Sequence, residues 1–242
     1  MRITVNLGLS KLVYRAVGRA SAWVFPCRCL VCGEPGHRGQ DLCAPCAQGL
    51  PRLGSACPHC ALPLPAGGEA GQPCGRCLRR RPPLGRVAAA FVYGAPVDGL
   101  LRRFKFHQDL AAGRLLAELM RPAMAALPAP QALVPVPLHL ARLRRRGYDQ
   151  ALELARPLAA ALHFPLCLGL HRTRATLPQS ELDAPARRRN LKSAFLATGP
   201  LPAHVALVDD VMTTGATLHA AAITLRRAGV QQVDAWVCAR VP

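Results

Sequence analysis

A chain of 242 residues has room for one large domain, or for a small one beside a medium one. It is 51% hydrophobic and 18% charged, enough to bury a sizeable core, which excludes wholesale disorder; no uncharged apolar run reaches the roughly 20 residues of a spanning helix. Lys and Arg number 31 against 13 Asp and Glu, and the formal charge of +18 favours polyanions: nucleic acid, phosphorylated metabolites or acidic membrane surfaces.

Residues 1–25 carry Leu9, Leu12, Val13, Ala16, Ala20 and Trp23 at helical spacing, with Lys11, Arg15 and Arg19 between them. An amphipathic helix is expected there, packed on its own protein rather than on a membrane. The interrupting charges and the lack of a small-residue cleavage site argue against a signal peptide, so a cytoplasmic location is expected.

Residues 26–80 hold four Cys-x-x-Cys pairs: Cys29 and Cys32, Cys43 and Cys46, Cys57 and Cys60, Cys74 and Cys77. Two cysteines so spaced can direct both sulfurs at one tetrahedral ion, and two such knuckles close a shell of four thiolates. Four knuckles therefore predict two structural zinc ions in a double ribbon. Disulfides conflict with the missing signal and the odd total of 11 cysteines, and the even repetition fits iron–sulfur ligation poorly. Sequential pairing of the knuckles and interleaved pairing both satisfy the spacing. Cys27, His37 and His59 lie near the knuckles as a spare thiol and loop histidines, and Cys167 and Cys238 sit in apolar runs as core residues.

After a linker at Arg79–Pro83, strands and helices alternate over residues 86–242. The pattern predicts a strand at VAAAFVY, helices over 95–106 and 110–127, a strand at ALVPV and a helix over 148–163 that Pro157 kinks or divides. Strands at LCLGL and VALV, a helix over 217–228 and a strand at VDAWVCA follow, with a long polar segment after LCLGL. Such alternation implies an α/β fold with a mostly parallel sheet covered by helices on both faces.

One segment of this second part carries chemistry. In VALVDDVMTTGAT an apolar strand runs into Asp209 and Asp210, then into a hydroxyl-rich loop, then into a helix. The loop Thr213, Thr214, Gly215, Ala216, Thr217 offers N–H groups, hydroxyls and a helix N-terminus to a phosphate dianion. Two adjacent carboxylates beside it call for another task, such as accepting hydrogen bonds from sugar hydroxyls. Ordinary helix capping requires fewer such groups.

VALVDDVMTTGAT resembles the phosphoribosyl pyrophosphate (PRPP) motif of type I phosphoribosyltransferases. Together with FPCRCLVCG, LCAPC, YGAPVDGLLRRFKF, VPVPLHLARLRRRGYDQALELA and RTRATLPQSELDAPARRRNLKSAF, it is similar to the ComF/GntX family from about Phe25 to Val241. That resemblance implies a zinc ribbon joined to a type I phosphoribosyltransferase-like domain, associated with DNA uptake in natural transformation. It implies that Asp209 and Asp210 hold the ribose hydroxyls of PRPP and that residues 213–217 hold its 5′-phosphate, with magnesium accompanying PRPP. Val136, Pro137 and Leu138 match the pyrophosphate loop, with Arg142 and Arg144 within reach, and Arg172, Arg174 and Arg187 fall in the flexible loop. Where the family has RG[FY]NQA this chain has Asp149, which loses an amide donor and adds a negative charge, yet PRPP binding should survive.

Three functional readings follow. The first is a phosphoribosyltransferase-like PRPP binder with an unassigned acceptor, acting with DNA-uptake proteins and touching single-stranded DNA. The second is a PRPP-binding, non-catalytic single-strand DNA binder, and the third a nucleobase salvage transferase, disfavoured by the foreign cysteine module. Arg102, Arg103, Lys105, Arg144, Arg145 and Arg146 are the expected DNA contacts, with Phe104, Phe106 and Tyr148 as stacking candidates.

Overall fold

The computed structural model describes residues 26–65, 71–173 and 194–242; the expected N-terminal helix, Arg174 and Arg187 lie outside them. Among the described residues no helix is long and apolar enough to cross a membrane. The chain groups into two compact units, Met1–Gly49 and Leu50–Pro242.

The described part of the first unit, from Pro26, is one ribbon. Arg28 bridges Pro35, the N–H of Cys29 donates to Glu34 O at 2.7 Å, and helix α1 (Ala44–Gln48) starts just after Cys43. The larger unit repeats this plan at its start: Ala56 bridges Pro63, Cys57 N–H donates to Leu62 O at 2.9 Å, and α2 (Gly75–Arg79) starts after Cys74. The repeat seen in the cysteine spacing is thus a repeat of backbone pairing.

The packing boundary between Gly49 and Leu50 falls inside the 26–80 span expected as one module. The physical reason is burial. Cys57, Cys60 and Cys77 share an apolar cluster with Leu84, Val87, Val205, Val233 and Leu225, so the second ribbon joins the core of the α/β unit.

Beyond the second ribbon come β1 (Val87–Val92), α3 (Val97–Phe106), α4 (Leu110–Ala125), β2 (Ala132–Pro135), α5 (Leu140–Arg146) and α6 (Gln150–Leu162). Then follow β3 (Leu170–Arg172), β4 (Phe195–Ala197), β5 (His204–Met212), α7 (Ala216–Arg227) and β6 (Gln232–Arg240). The main sheet has order β1-β6-β5-β2 and every pairing in it is parallel. Its strands are buried on both faces, which is why they read as unbroken apolar runs rather than alternating ones. Helices α4 and α6 pack on each other and against the sheet, while α7 joins the apolar cluster that the second ribbon also enters.

Two sequence expectations need correction. Pro157 does not divide α6: the helix runs continuously from Gln150 to Leu162. The proline forfeits one backbone bond, to the carbonyl of half-exposed Glu153, while Leu154, Ala155 and Leu158 stay buried on the core side. LCLGL does not form a strand of the main sheet either. Only Leu166 bridges β2, at Leu133; Leu168 is 55% exposed, and from Leu170 the chain turns into an antiparallel pair with β4.

Candidate functional site

The cysteines fall into two sets of four, Cys29, Cys32, Cys43, Cys46 and Cys57, Cys60, Cys74, Cys77, with the sulfurs of each set within 4.8 Å of one another. The pairing is therefore sequential, not interleaved. A tetrahedral ion held at about 2.3 Å by four sulfurs sets them about 3.8 Å apart. Cys32 and Cys43 Sγ stand at 3.6 Å, and Cys60 and Cys74 Sγ at 3.7 Å. Burial opposes thiolate formation, but N–H groups of Cys43, Cys32 and Val31 bring the Cys29 thiol down to about 6. Both sets thus fit zinc in distance and in ligand chemistry. His59 belongs to neither set; its Nδ1 bonds Gly85 O at 2.8 Å.

The second feature lies at the C-terminal ends of β2 and β5. From β2 the chain continues outward to the Leu166 bridge, whereas from β5 it passes to β6 on the opposite side. The gap between β2 and β5 is therefore the switch point of the sheet, where open α/β folds place ligands. The residues after β2 and those ending β5 are adjacent there, since Val136 N–H donates to Val208 O at 3.0 Å.

β5 extends past the apolar VALV to Met212, so Asp209 and Asp210 belong to the strand rather than to the loop after it. Asp210, 8% exposed, pairs through Oδ1 with Lys105 Nζ at 3.0 Å. Asp209 accepts the N–H of Asp210 at 2.9 Å. Burial, and then the charge of Asp210, push Asp209 up to about 7, with Lys105 working in the other direction. One ammonium thus serves both carboxylates. No local pattern around Lys105 announced this role; the only signal was its rarity, as one of three lysines in the chain.

Thr213 and Thr214 are exposed, and Gly215 caps α7 at φ +78°. A Cβ on Gly215 would run into Met212 Cε and lie 3.2 Å from His219 Nε2, so only glycine fits the turn. Gly215 offers no capping side chain; at the start of α7 the N–H of Ala216 donates to Thr214 Oγ1 at 3.4 Å, and the rest of the first turn faces the loop. His219 Nε2 is buried without a hydrogen-bond partner. Burial, and then the charges of Arg76 and Arg80, hold its pKa below the usual histidine value. The N–H groups of the first turn, two hydroxyls and an orphaned imidazole nitrogen make a cradle suited to a phosphate dianion.

The expected pyrophosphate loop behaves differently. Val136 N–H is used by Val208, Pro137 has none, and Leu138 N–H donates to Asp149 Oδ2 at 2.8 Å. These three residues thus leave no backbone donor for an anion. Asp149 also caps α6, accepting Leu152 N–H at 3.2 Å, so this carboxylate is an acceptor twice over and the amide donor of the family pattern has no counterpart. Burial raises Asp149 above the usual aspartate value, against the pull of those N–H groups. The cations at this end are guanidinium groups. Arg142 is half-buried on α5; Arg172 ends β3, over the ring of Phe195 at 5.4 Å, with Asp209 and Asp149 as the carboxylates that favour its charge.

The basic residues expected at DNA divide into two groups. On α3, Arg102 pairs with Asp98 at 3.2 Å, Arg103 with Asp109 at 2.6 Å, and Lys105 turns in to Asp210. On α5, Arg144 and Arg145 are exposed, and Arg146 donates to Gln150 and lies over the ring of Phe106 at 5.5 Å. Phe106 is 65% exposed, but Phe104 is a core residue packed on Tyr148, with ring centroids 5.5 Å apart, so it cannot stack on a base.

Two further residues escaped the sequence reading. Arg240, 4% exposed on β6, donates to Cys60 O at 2.7 Å, to Met212 O at 3.2 Å and to Val241 O. Arg76, in the knuckle between Cys74 and Cys77, reaches Thr214 O at 3.5 Å. Only the surplus of arginine hinted at either.

Comparison with known proteins adds three kinds of relative and a domain family. The double zinc ribbon domain family matches residues 20–78. DNA utilization protein YhgH of Salmonella typhi is 38% identical over 223 residues, 88% of this chain and 89% of its own. Competence protein F of Haemophilus influenzae is 38% identical over 180 residues, covering 70% and 79%. Competence protein ComFC of Streptococcus pneumoniae is 26% identical over 153 residues, covering 63% and 67%.

Proposed function

This chain belongs to the ComF family of competence and DNA-utilization proteins, and from that premise we propose that it binds PRPP between β2 and β5 and serves DNA uptake in natural transformation. The observation that carries the reading is the coincidence of the switch point with an acidic pair on β5 and a glycine-capped phosphate cradle at α7. In this reading Thr213, Thr214, Gly215, Ala216 and Thr217 hold the 5′-phosphate, and Asp209 and Asp210 accept hydrogen bonds from the ribose hydroxyls. Arg142 and Arg172 replace the missing loop donors at the pyrophosphate end. Magnesium, when bound with PRPP, supplies charge neutralisation on the leaving pyrophosphate. Arginine donors at that end stabilise the same charge, and a carboxylate near the ring favours an oxocarbenium-like transition state. Two zinc ions complete the ribbons.

The names of the relatives speak of competence and DNA utilization, which supports a role in DNA uptake. Arg144 and Arg145, with Phe106 stacked by Arg146, support contact with single-stranded DNA through phosphates and one base platform. That surface also supports the second reading, a PRPP-binding protein that holds DNA without turnover.

Calorimetric titration with PRPP and magnesium tests the proposal, with Asp209→Asn plus Asp210→Asn as the variant. Each lost charge-assisted bond is worth roughly 1.5–3 kcal/mol, so affinity should fall on the order of a hundredfold or more for the pair. Unchanged binding in the folded double variant would refute the assignment. A screen for pyrophosphate release with nucleobases and with single-stranded DNA then separates an enzyme from a binder.

A further inference from the structure

A cavity of about 280 Å³ lies where the second ribbon meets the loop after β5, and Arg76, Thr213, Thr214 and Arg240 are among its lining residues, together with Val241 and Pro242. Its two arginines are not equivalent. Arg240 is buried and engaged by three carbonyl oxygens of the protein. Arg76 is exposed, and its contact with Thr214 O is long, at 3.5 Å. Among the described residues it forms no ion pair, so most of its five N–H donors face the cavity side of the loop or solvent.

The position of Arg76 is fixed from both sides in sequence. Cys74 and Cys77 belong to one four-sulfur set, and α2 (Gly75–Arg79) spans the interval between them. The knuckle therefore presents Arg76 as a rigid feature, 138 residues away in sequence from the loop it touches. At that loop the α7 cap has no side chain, and His219 Nε2, buried and without a partner, lies close to Gly215. The ribbon residues whose charges act on His219 are Arg76 and Arg80.

Resting on the PRPP reading above, we propose that the second zinc ribbon contributes Arg76 as a ligand for the phosphate held by residues 213–217. The ligand class is a sugar phosphate monoester, and the zinc serves to keep the guanidinium in register with the loop. The cradle is thus shared between two parts of the chain, with N–H groups and hydroxyls from α7 and its loop and a cation from the ribbon.

The test compares wild type, Arg76→Gln, Arg76→Lys and Arg226→Gln, the last removing an equal charge at the far end of α7. Ribose 5-phosphate and PRPP are titrated by calorimetry, and zinc content is measured for every protein. Arg76→Gln should bind ribose 5-phosphate about tenfold more weakly with zinc retained, Arg76→Lys should recover most of the loss, and Arg226→Gln should stay within about twofold of wild type. Wild-type affinity in Arg76→Gln, or a lysine variant as weak as the glutamine one, would overturn this inference while leaving the PRPP site standing. Failure of wild type to bind either compound would instead remove the PRPP reading itself.

Discussion

Loss of metal should affect the two ribbons unequally, and the difference can be worked out from burial. Compare Cys43→Ser with Cys60→Ser. Among the described residues of the first unit the buried apolar side chains are Cys29, Leu42 and Cys43, so losing its ion unfolds little beyond the ribbon. In the larger unit Cys57, Cys60 and Cys77 are between 0% and 4% exposed and share a core with β1, β5, β6 and α7. A zinc ion with four thiolates carries two net negative charges, and buried Arg240 bonds the carbonyl of Cys60 beside that charge. Removing the partner of a buried charge costs about 3–5 kcal/mol. At about 2–4 °C per kcal/mol for a unit of this size, Cys60→Ser should lower its Tm by roughly 6–20 °C. Cys43→Ser should leave that Tm within about 2 °C. Differential scanning calorimetry, with zinc counted per chain, measures both. Equal losses for the two variants, or an unchanged transition in Cys60→Ser, would refute the claim that the second ribbon is part of the α/β core.

Asp209 gives a pH signature. Its value of about 7 in the folded chain exceeds the about 3.9 of an unfolded aspartate, so its contribution to stability is full below about pH 4 and is lost as pH rises through 7. Urea midpoints should therefore show Asp209→Asn gaining on wild type between pH 5 and pH 8, and parallel pH profiles would count against it. On single-stranded DNA, changing Arg144, Arg145 and Arg146 to Gln should reduce the slope of log affinity against log salt by about 2, at about 0.7 per phosphate. The slope should be insensitive to Asp209→Asn with Asp210→Asn; dependence on that pair would mean that DNA and PRPP share a site.

Much of the architecture was legible because it rests on local patterns. Four cysteine pairs, unbroken apolar strands and the run from VALV into a glycine-capped helix each depend on neighbours in sequence, and the structure has all three. What escaped depends on distant partners. The pairing of Lys105 with Asp210 joins α3 to β5, and nothing near Lys105 distinguishes it from the arginines beside it. Asp149 reads as a departure from a family pattern, whereas its oxygens close the loop after β2 and cap α6 together. LCLGL has the composition of a strand, but only Leu166 joins the edge of the main sheet, and Leu170 pairs with β4 instead, so composition alone misleads there. The second ribbon reads as a separate module because its cysteines repeat those of the first, while the apolar cluster it enters also takes in Val205, Leu225 and Val233, far along the chain.

The anchoring of the last residues has a practical side. Val241 N–H donates to Met212 O at 3.0 Å, its carbonyl accepts from Arg240, and Pro242 lines the cavity beside Thr213 and Thr214. A purification tag fused after Pro242 would begin at the mouth of that cavity and bring its own side chains against the loop. A histidine tag would add imidazoles that compete for metal within reach of a four-cysteine site. Ligand titrations are therefore better made on protein with nothing fused after Pro242, and a tagged protein that binds weakly reports on its tag as much as on the chain.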